Sequence, residues 1–330
     1  MRAIKEAEMR AHEGELASAQ THSQPDTPRI AVVVPCHNEA GSIARVVEAF
    51  RSRLPDAELV VVDNASSDAT AEEARQAGAR VVKESRLGKG FALLTGFDQT
   101  RDADWTVMID GDDTYAVEDV TRLLDTAIEQ QADMVVGTRL EGAGANALPV
   151  GHGFGNRLFI ALARFLFGLR TRDLFSGYRI LSRRFLDITP LVATGFDVEA
   201  ELSVQAQVNG FRVAEVPIGY RARLPGSSSK LNTWKDGYRI LLGIMILFRD
   251  YRPMAFFGAL AVSLLTASLW SGFAPIDDFV RTGLVQHVPR AILAAALFIL
   301  AALSIALGIL LSSINRRSVE LAALIRKNSR

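Results

Sequence analysis

The segment Ile109-Asp110-Gly111-Asp112-Asp113-Thr114-Tyr115 follows directly on the apolar run 105–109 and decides how the rest of the chain is interpreted. An apolar run of that length, bounded by turn residues, predicts a buried strand that ends at the acidic residues. Alternation along an extended chain points Asp110 and Asp112 the same way, and Gly111 lets a ligand approach the backbone closely. A Mg²⁺ or Mn²⁺ ion held by two carboxylates keeps coordination positions open, and it can use them to bind the phosphates of a nucleotide diphosphate. The alternative is an acidic turn that caps the following helix.

Length and composition limit the classes of protein to consider. The chain has 330 residues, enough for one substantial globular domain with additional segments, and its formal net charge of +0 argues against a nucleic-acid binder. The single cysteine, Cys36, excludes an intramolecular disulfide and a cysteine-based zinc site, which is typical of a reducing compartment. Residues 1–28 are polar and lack the apolar core of a signal peptide. We therefore expect a mobile N-terminal segment there.

The alternation of strands and helices in residues 29–231 is typical of an α/β fold. Two apolar runs, 30–34 and 59–62, flank a segment with apolar residues at helical spacing, namely Ile43, Val46, Val47, Phe50 and Leu54. This strand–helix–strand unit predicts a parallel sheet with right-handed crossovers. Further strands are predicted at 81–82, 105–109 and 134–136, with helices around 90–100 and 117–130. Ligands of open α/β sheets bind outside the carboxyl ends of the strands, so those ends are where chemistry is expected.

Polar motifs follow three of the predicted strands. They are Pro35-Cys36-His37-Asn38-Glu39 after the first, Asp63-Asn64-Ala65-Ser66-Ser67-Asp68 after the second, and Gly88-Lys89-Gly90 after the third. Asp63 is suited to accept hydrogen bonds from a base or ribose, and Lys89 to pair with a phosphate. Each motif alone is equally well explained by a helix cap, an Asx turn or a surface loop. Their occurrence at successive strand ends favours one shared binding site.

The ordered motifs P-C-H-N-E, V-V-D-N-A-S-S-D, G-K-G and D-G-D-D resemble the nucleotide-sugar domain of the family 2 inverting glycosyltransferases. Within that family they are most similar to the polyprenyl-phosphate glycosyltransferases, the dolichol-phosphate-mannose synthase group, including members with two C-terminal transmembrane helices. The resemblance covers residues 29–231 and implies a GT-A fold with a Rossmann-like mixed sheet. It implies a Mg²⁺ or Mn²⁺ ion on Asp110 and Asp112, with Asp112 also among the catalytic residues. The implied donor-binding residues are Pro35, Asn38, Glu39, Asp63, Asn64, Lys89, Asp110 and Gly111.

The acceptor side is predicted at Asp173-Leu174-Phe175-Ser176-Gly177-Tyr178-Arg179, which is similar to the D-x-x-S-G-x-R motif of the same branch. Arg179 is the predicted catalytic cation that binds a lipid phosphate, with Ser176 and the backbone N–H of Gly177 completing the site. Asp173 is the candidate catalytic carboxylate. A phosphate monoester is already largely ionised near neutral pH, so we expect Asp173 to act first by electrostatic placement and second as a base. The alternative is a turn-capping aspartate paired with the arginine.

Two further segments are predicted to border the acceptor. Residues 195–201 open a helix whose acidic residues suit the helix dipole, and the resemblance implies that Glu199 or Glu201 lines the acceptor groove. The loop from Arg223 to Lys230 is basic and resembles R-x-x-G-x-S-K, with the lysine one residue later. Arg223 and Lys230 are predicted to close over the diphosphate and the lipid phosphate and to stabilise the departing nucleotide. A basic loop that faces anionic lipid is the alternative.

The C-terminal part of the chain is predicted to bind and cross a membrane. Residues 232–252 form an amphipathic juxtamembrane helix that should lie in the interface plane. Residues 253–273 and 291–314 each provide the roughly 20 uncharged residues that a spanning helix needs, with 274–290 as the connecting loop. Basic residues on both flanks place the catalytic domain and the basic tail 315–330 in the cytoplasm, at the inner or plasma membrane. The alternative is a buried hairpin in a soluble core.

These inferences together predict a membrane-anchored inverting glycosyltransferase that moves one hexose from a UDP- or GDP-sugar to polyprenyl phosphate. The expected partners are the donor, the lipid acceptor and the membrane, with a homo-oligomer formed through the hairpin and a downstream flippase as further candidates. The alternatives are a transferase with another lipid or saccharide acceptor, a processive polysaccharide synthase, and a non-catalytic nucleotide-sugar-binding membrane protein. The sequence has no Q-x-x-R-W motif, and two spans are few for a translocating pore, which disfavours the synthase.

Overall fold

The computed structural model describes residues 28–139, 152–192, 198–221 and 233–328. The strands within these ranges are β1 (Ile30–Cys36), β2 (Glu58–Asp63), β3 (Arg80–Lys83), β4 (Trp105–Met108), β5 (Met134–Thr138), β6 (Arg179–Ser182) and β7 (Val213–Pro217). The helices are α1 (Ile43–Arg53), α2 (Thr70–Gln76), α3 (Lys89–Gln99), α4 (Val120–Glu129), α5 (His152–Phe167), α6 (Arg183–Ile188), α7 (Val198–Val208), α8 (Thr233–Tyr251), α9 (Pro253–Thr282) and α10 (Val288–Asn328).

The strands form one mixed sheet in the order β3-β2-β1-β4-β6-β5-β7. β6 runs antiparallel to both of its neighbours, and all other neighbouring pairs are parallel. Because β6 is reversed, its first residue, Arg179, pairs with Met108 at the carboxyl end of β4. The segment that leads into β6 therefore meets the acidic turn that follows β4. The predicted α/β fold with a mixed sheet is confirmed, although β6 and β7 were not predicted as strands.

Helix α1 illustrates how the apolar pattern builds the core. The apolar side chains of α1 recur three and four residues apart and therefore share one face of the helix. They are fully buried against the sheet together with the apolar side chains of β1 and β2, and comprise Ile43, Val46, Val47 and Phe50. Burying one such side chain contributes about 1.5–3 kcal/mol, so this face fixes α1 on the sheet beside the carboxyl end of β1.

A second packing unit joins the mixed-sheet domain to the C-terminal helices. Helices α5, α7 and α8 share an apolar cluster that includes Phe167, Ala200, Val204, Ile244 and Leu247. The guanidinium of Arg252, between α8 and α9, donates a 3.0 Å hydrogen bond to the carbonyl oxygen of Phe167, the last residue of α5. On the outer side of α5, Phe165 is 84% exposed. The cluster therefore connects the domain to the hairpin while leaving apolar side chains uncovered on its outer side.

Helices α9 and α10 form a hairpin in which each helix is long and apolar enough to cross a membrane. The segments Pro253–Thr282 and Val288–Arg317 have mean hydropathies of 1.6 and 2.7, and only 11% and 17% of their most apolar windows are buried. Core helices of a soluble protein would be mostly buried. Small residues allow close packing, and the hydroxyl of Ser268 donates to the carbonyl oxygen of Ala294 at 2.7 Å.

The prediction of a loop at 274–290 is wrong for most of that range. Helix α9 continues to Thr282 with Pro275 inside it, and α10 begins at Val288. Hydropathy marks where the apolar stretch ends, but a helix continues through polar residues when its backbone bonds and side-chain pairs persist. An ion pair of 2.8 Å between Arg281 and Asp277, one turn apart, supports this extension.

Candidate active site

The acidic turn after β4 has the local structure that its sequence predicts. Asp112 is 8% exposed, and its Oδ1 accepts hydrogen bonds from the backbone N–H of Thr114 at 3.2 Å and from the Thr114 hydroxyl at 2.6 Å. Asp113 adopts a left-handed conformation with φ 57° and forms an ion pair with Arg45 at 2.9 Å. The conformation of Asp113 turns it outward, so it is separated from the two neighbouring acidic positions.

Gly111 has a packing role that the sequence did not indicate. A Cβ atom at this position would lie 2.5 Å from Sγ of Cys36, and the Gly111 carbonyl oxygen accepts a 2.8 Å hydrogen bond from the Ser42 hydroxyl. The glycine thus lets the acidic turn lie directly against the end of β1. Its predicted contact with the donor stays a prediction.

Asp110 and Lys89 form the electrostatic centre of the site. Nζ of Lys89, the first residue of α3, lies 2.5 Å from Oδ1 of Asp110 and also forms an ion pair with Glu199 of α7. Burial alone lowers the pKa of Lys89, but the carboxylates of Asp110 and Glu199 outweigh burial and raise this pKa. Lys89 is therefore a fixed ammonium ion shared by two acids. Of the two acids predicted near the acceptor, Glu199 reaches this centre, whereas Glu201 accepts from the backbone N–H of Val192.

The chemistry of the acidic turn fits a hard divalent cation. In the described ranges, no group of three or more His, Cys, Asp or Glu side chains gathers into a complete metal cage. Asp110 and Asp112 are thus the carboxylates that the turn offers. Mg²⁺ suits such an incomplete set because it keeps several waters and binds through one or two carboxylates plus substrate phosphates.

The predicted donor residues are brought together by hydrogen bonds between neighbouring loops. Asn38, in a left-handed conformation with φ 53°, accepts from the Ser67 N–H at 2.7 Å and donates its own N–H to the Ser66 hydroxyl at 3.0 Å. Glu39 donates its N–H to the Thr70 hydroxyl at 2.8 Å. The loops after β1 and β2 are therefore joined, as expected if both border one pocket. Pro35 lies within β1 opposite Val62 of β2.

Asn64 shapes the loop that precedes α3 and is 3% exposed. Its amide donates to the carbonyl oxygens of Glu84 at 3.2 Å and Arg86 at 2.7 Å, and its Oδ1 accepts from the Gly88 N–H at 2.8 Å. The same loop is held by Glu84, whose hydrogen bonds from Arg86 and Thr95 lower its pKa to about 2. The structure thus gives the Asn64 side chain an organising role in this loop, and its predicted contact with the donor stays a prediction.

The neighbouring Asp63 makes fewer hydrogen bonds within the protein than Asn64 does. It is 7% exposed at the end of β2, and its Oδ1 accepts one hydrogen bond of 3.1 Å from the Ser66 N–H. A carboxylate has about four acceptor positions, so Asp63 retains capacity to accept from a ligand. Its predicted contact with the nucleoside stays a prediction that the geometry allows.

Asp173 is fully buried in an ion pair with Arg139, which directly follows β5. The guanidinium donates from Nε to Oδ2 and from Nη2 to Oδ1 at 2.8 Å each, and the Arg139 backbone N–H adds a 3.1 Å bond. Burial raises the pKa of Asp173, but the bonds from Arg139 outweigh it and the pKa is lowered. A buried, paired carboxylate of low pKa is a poor proton acceptor. The predicted second role of Asp173 as a base is therefore not supported.

The predicted contact of Arg179 with a lipid phosphate stays a prediction, and the buried position of its guanidinium does not favour it. Arg179 is fully buried, and its three guanidinium nitrogens donate to the carbonyl oxygens of Ser176 and Leu174 and to the hydroxyl of Ser203 at 2.9–3.0 Å. Arg179 instead clamps the loop that leads into β6. Ser176 is also fully buried, and the Gly177 N–H donates to the Tyr115 hydroxyl at 2.8 Å, so the predicted phosphate cradle is occupied by the protein's own groups.

The sequence analysis missed Arg139, although it follows a predicted strand and the strand-end rule would have found it. Its side chain is 17% exposed, and its guanidinium carbon lies 5.5 Å from the centre of the Tyr220 ring. The other two predicted phosphate-binding residues, Arg223 and Lys230, lie outside the described residues. Within the described part of the site, Arg139 therefore combines partial exposure with a direct ion pair to the acceptor motif.

The donor and acceptor motifs meet at Gly177. A Cβ atom at this position would overlap the carboxylate of Asp110, so the backbone of the acceptor motif lies directly against the cation-binding turn. Tyr115 reinforces this contact through its hydrogen bond to Gly177 and an edge-to-face contact with Tyr220, with ring centroids 5.4 Å apart. The two halves of the predicted site thus form one centre at the carboxyl ends of β4 and β5.

This combination of a mixed sheet and an acidic turn at the end of a central strand defines a nucleotide-sugar transferase of GT-A type. The sequence model for "Glycosyl transferase family 2" matches residues 31–188. The chain belongs to glycosyl transferase family 2, and the predicted family, fold and enzyme class are confirmed. Among solved structures it is similar to glucosyl-3-phosphoglycerate synthase from Mycobacterium tuberculosis in complex with Mg²⁺ and UDP, with a TM-score of 0.55 and 24% identity over 71% of this chain and 82% of that one.

Curated relatives extend the comparison beyond the fold. The chain is 37% identical over 214 residues to the dolichyl-phosphate hexose transferase of Haloferax volcanii, covering 64% of this chain and 90% of the relative. It is 31% identical over 215 residues to the polyprenol monophosphomannose synthase of Mycolicibacterium smegmatis, covering 61% of this chain and 81% of the relative. Both relatives are similar across most of their own length.

The contact between Gly177 and Asp110 yields a prediction. In Gly177→Ala, the added methyl group forces the Asp110 carboxylate aside, and we expect sugar transfer to fall about 100-fold, the effect of roughly 1 Å of misplacement at a reacting centre. Gly237→Ala is the matched control because a Cβ there meets nothing within 4 Å. Turnover is measured for both variants beside their thermal unfolding midpoints. Equal activity of the two variants would show that the close approach is unimportant.

Proposed function

We propose that the protein transfers one hexose from a nucleoside-diphosphate sugar to the phosphate of a membrane polyprenol, with inversion at the sugar carbon. The observation that carries the proposal is the contact of Gly177 with Asp110, which joins the acceptor motif to the cation-binding turn. The names of the two relatives support a polyprenyl-phosphate acceptor. The apolar hairpin supports an acceptor that stays in the bilayer.

The donor side is proposed to act by positioning and charge. Asp63 accepts hydrogen bonds from the nucleoside, while Asn64 holds the loop beside it in shape. Asp110 and Asp112 would hold a divalent cation, which neutralises charge on the departing diphosphate when bound. Lys89 adds a fixed positive charge at the first residue of α3, where the helix dipole also favours an anion.

The acceptor side is proposed to centre on Arg139 instead of Arg179. Because the guanidinium of Arg139 is partly exposed and already oriented by Asp173, it is preorganised for a bidentate contact with a phosphate. An oxygen of that phosphate attacks the sugar carbon from the face opposite the diphosphate, the bond to the diphosphate breaks, and the configuration inverts. The attacking phosphate is largely ionised near neutral pH, so no basic residue is required. This agrees with the burial and low pKa of Asp173.

The hairpin is proposed to anchor the catalytic domain on the cytoplasmic face of the membrane. Basic residues concentrate on the side of the hairpin that carries the domain, including Arg249, Arg252, Arg316 and Arg317, as the positive-inside rule requires. Helices α5 and α8 lie beside it with exposed apolar side chains, among them Phe165 and Leu242. Anchoring keeps the enzyme at high effective concentration with an acceptor that never leaves the bilayer.

The test uses the full chain in detergent with a panel of UDP- and GDP-sugars, undecaprenyl phosphate, and Mg²⁺ or Mn²⁺. Mass spectrometry of the extracted lipid should show a mass increase of one hexose with one donor class, and NMR of the product should show the inverted anomer. Undecaprenol without phosphate is the matched control and should remain unmodified. Glycosylation of another lipid or of a saccharide, with undecaprenyl phosphate untouched under every donor, would contradict the proposed acceptor.

A further inference from the structure

Glu199 is a buried acid that the proposed reaction does not yet use. It lies in the first turn of α7 with 3% exposure, and its carboxylate pairs with Lys89, 110 residues away in the sequence. One turn later on the same face, the Ser203 hydroxyl accepts from Arg179. The adjacent face of α7 packs Ala200 and Val204 into the cluster with α5 and α8. Helix α7 is thereby fixed from behind while it presents Glu199 to the site.

The ammonium of Lys89 is shared between two carboxylates. It lies 2.5 Å from Oδ1 of Asp110 and contacts Oε1 of Glu199, and it is 10% exposed. Counted by themselves, these two carboxylates and one ammonium carry a net negative charge, and the buried Arg179 is a further cation that acts on Glu199. Asp110 itself is 29% exposed, so it faces the pocket while its partners are enclosed. The geometry leaves Asp110 only partly neutralised.

Removing the charge of Glu199 changes this balance. Lys89 would then have Asp110 as its sole carboxylate partner, and the resulting pair would be neutral. A neutral pair attracts a divalent cation less than a pair that carries a net negative charge. Asp110 would also lose part of its freedom to coordinate, because a single close ammonium competes for its oxygens.

We propose that Glu199 is a positioning residue that holds Lys89 in a shared ion pair, so that Asp110 keeps charge and an oxygen for the divalent cation. The inference rests on the proposed function, since it requires the cation to bind at Asp110 and Asp112. Glu199 acts through Lys89 and has no contact with the reacting atoms. The aspartate pair alone therefore does not determine cation affinity, which also depends on a residue carried by helix α7, the helix that packs against α5 and α8.

The experiment measures Mn²⁺ binding to the full chain by electron paramagnetic resonance. The nucleotide is UDP or GDP, whichever supports Mn²⁺ binding by the wild type, at a concentration shown to saturate each variant. Glu199→Gln is expected to weaken Mn²⁺ binding by about tenfold, the effect of one charge at close range in a partly buried site. Glu201→Gln is the matched control, because Glu201 is equally buried on the same helix but bonds to the backbone of Val192, and it should stay within about twofold of wild type. The double variant Lys89→Gln/Glu199→Gln should recover most of the loss.

The measurements distinguish a failure of the proposed function from a failure of the positioning role of Glu199. If the wild type shows no Mn²⁺ binding that depends on either UDP or GDP, the proposed function fails at its cation. If the wild type binds and Glu199→Gln matches it, or the double variant is as weak as the single one, the positioning role is refuted. Should Glu199→Gln fail to fold, Glu199→Asp replaces it, with a smaller weakening of about threefold expected because the charge is kept and displaced. Recovery on adding Lys89→Gln is again required.

Discussion

Asp112→Asn is expected to lower the turnover number by about a thousandfold or more, the largest effect of any single substitution considered. The amide keeps the shape of the carboxylate, and its oxygen can still accept from Thr114, so the turn should fold as before. What is lost is a negatively charged oxygen ligand for the cation. Charge stabilisation by a metal ion contributes several kcal/mol to the transition state, and each 1.36 kcal/mol corresponds to a factor of ten in rate.

The neighbouring Asp113 provides a matched control for this prediction. It carries the same carboxylate one residue further along, but it is turned away in a left-handed conformation and paired with Arg45. Asparagine tolerates that backbone conformation, so Asp113→Asn should retain activity within about twofold of wild type. Transfer to undecaprenyl phosphate is measured for both variants at saturating donor, together with the thermal unfolding midpoint. Wild-type turnover of Asp112→Asn would instead show that the Asp112 carboxylate is not needed for transfer, which contradicts its role as a cation ligand.

The donor side of the site was predictable because its signals are local. Each motif follows an apolar run, and parallel strands bring their carboxyl ends to one edge, so the motifs at Asn38, Asp63 and Asp110 could be assigned to one pocket from the sequence alone. The hydrogen bonds between the loops after β1 and β2 agree with that expectation. The packing role of Gly111 against Cys36 was not predictable, since it depends on how closely two strands approach.

The acceptor side was harder to predict because its geometry depends on a reversed strand. The sequence shows that Arg179 belongs to a motif, but its direction follows from the antiparallel insertion of β6 between β4 and β5. That insertion buries Arg179 and leaves Arg139 at the surface of the pocket. The pairing of Lys89 with Glu199 had no local signal either, because the two residues are 110 positions apart. Long-range ion pairs of this kind become visible only in three dimensions.

Arg139 is where the second large effect is expected. Arg139→Gln alone leaves the Asp173 carboxylate buried without its partner, which costs about 3–5 kcal/mol of stability and obscures any effect on catalysis. The double variant Arg139→Gln/Asp173→Asn removes both charges, so its unfolding midpoint should return close to that of the wild type. Its kcat/KM for polyprenyl phosphate should remain about 100-fold lower, because a bidentate charge-assisted contact of about 3 kcal/mol is missing. The KM for the donor should not change.

The pH dependence of stability gives an independent check on the same pair. Because the pKa of Asp173 is lowered from its ordinary 3.8 in the folded protein, its ion pair contributes stability that is fully present above that value. This contribution is lost as the pH falls through the lower folded pKa. The thermal unfolding midpoint of the wild type should therefore fall more steeply below pH 4 than the midpoint of Arg139→Gln/Asp173→Asn. If the double variant keeps the wild-type KM for the lipid, Arg139 does not bind the acceptor. The ion pair would then be purely structural, even if the acid sensitivity is as expected.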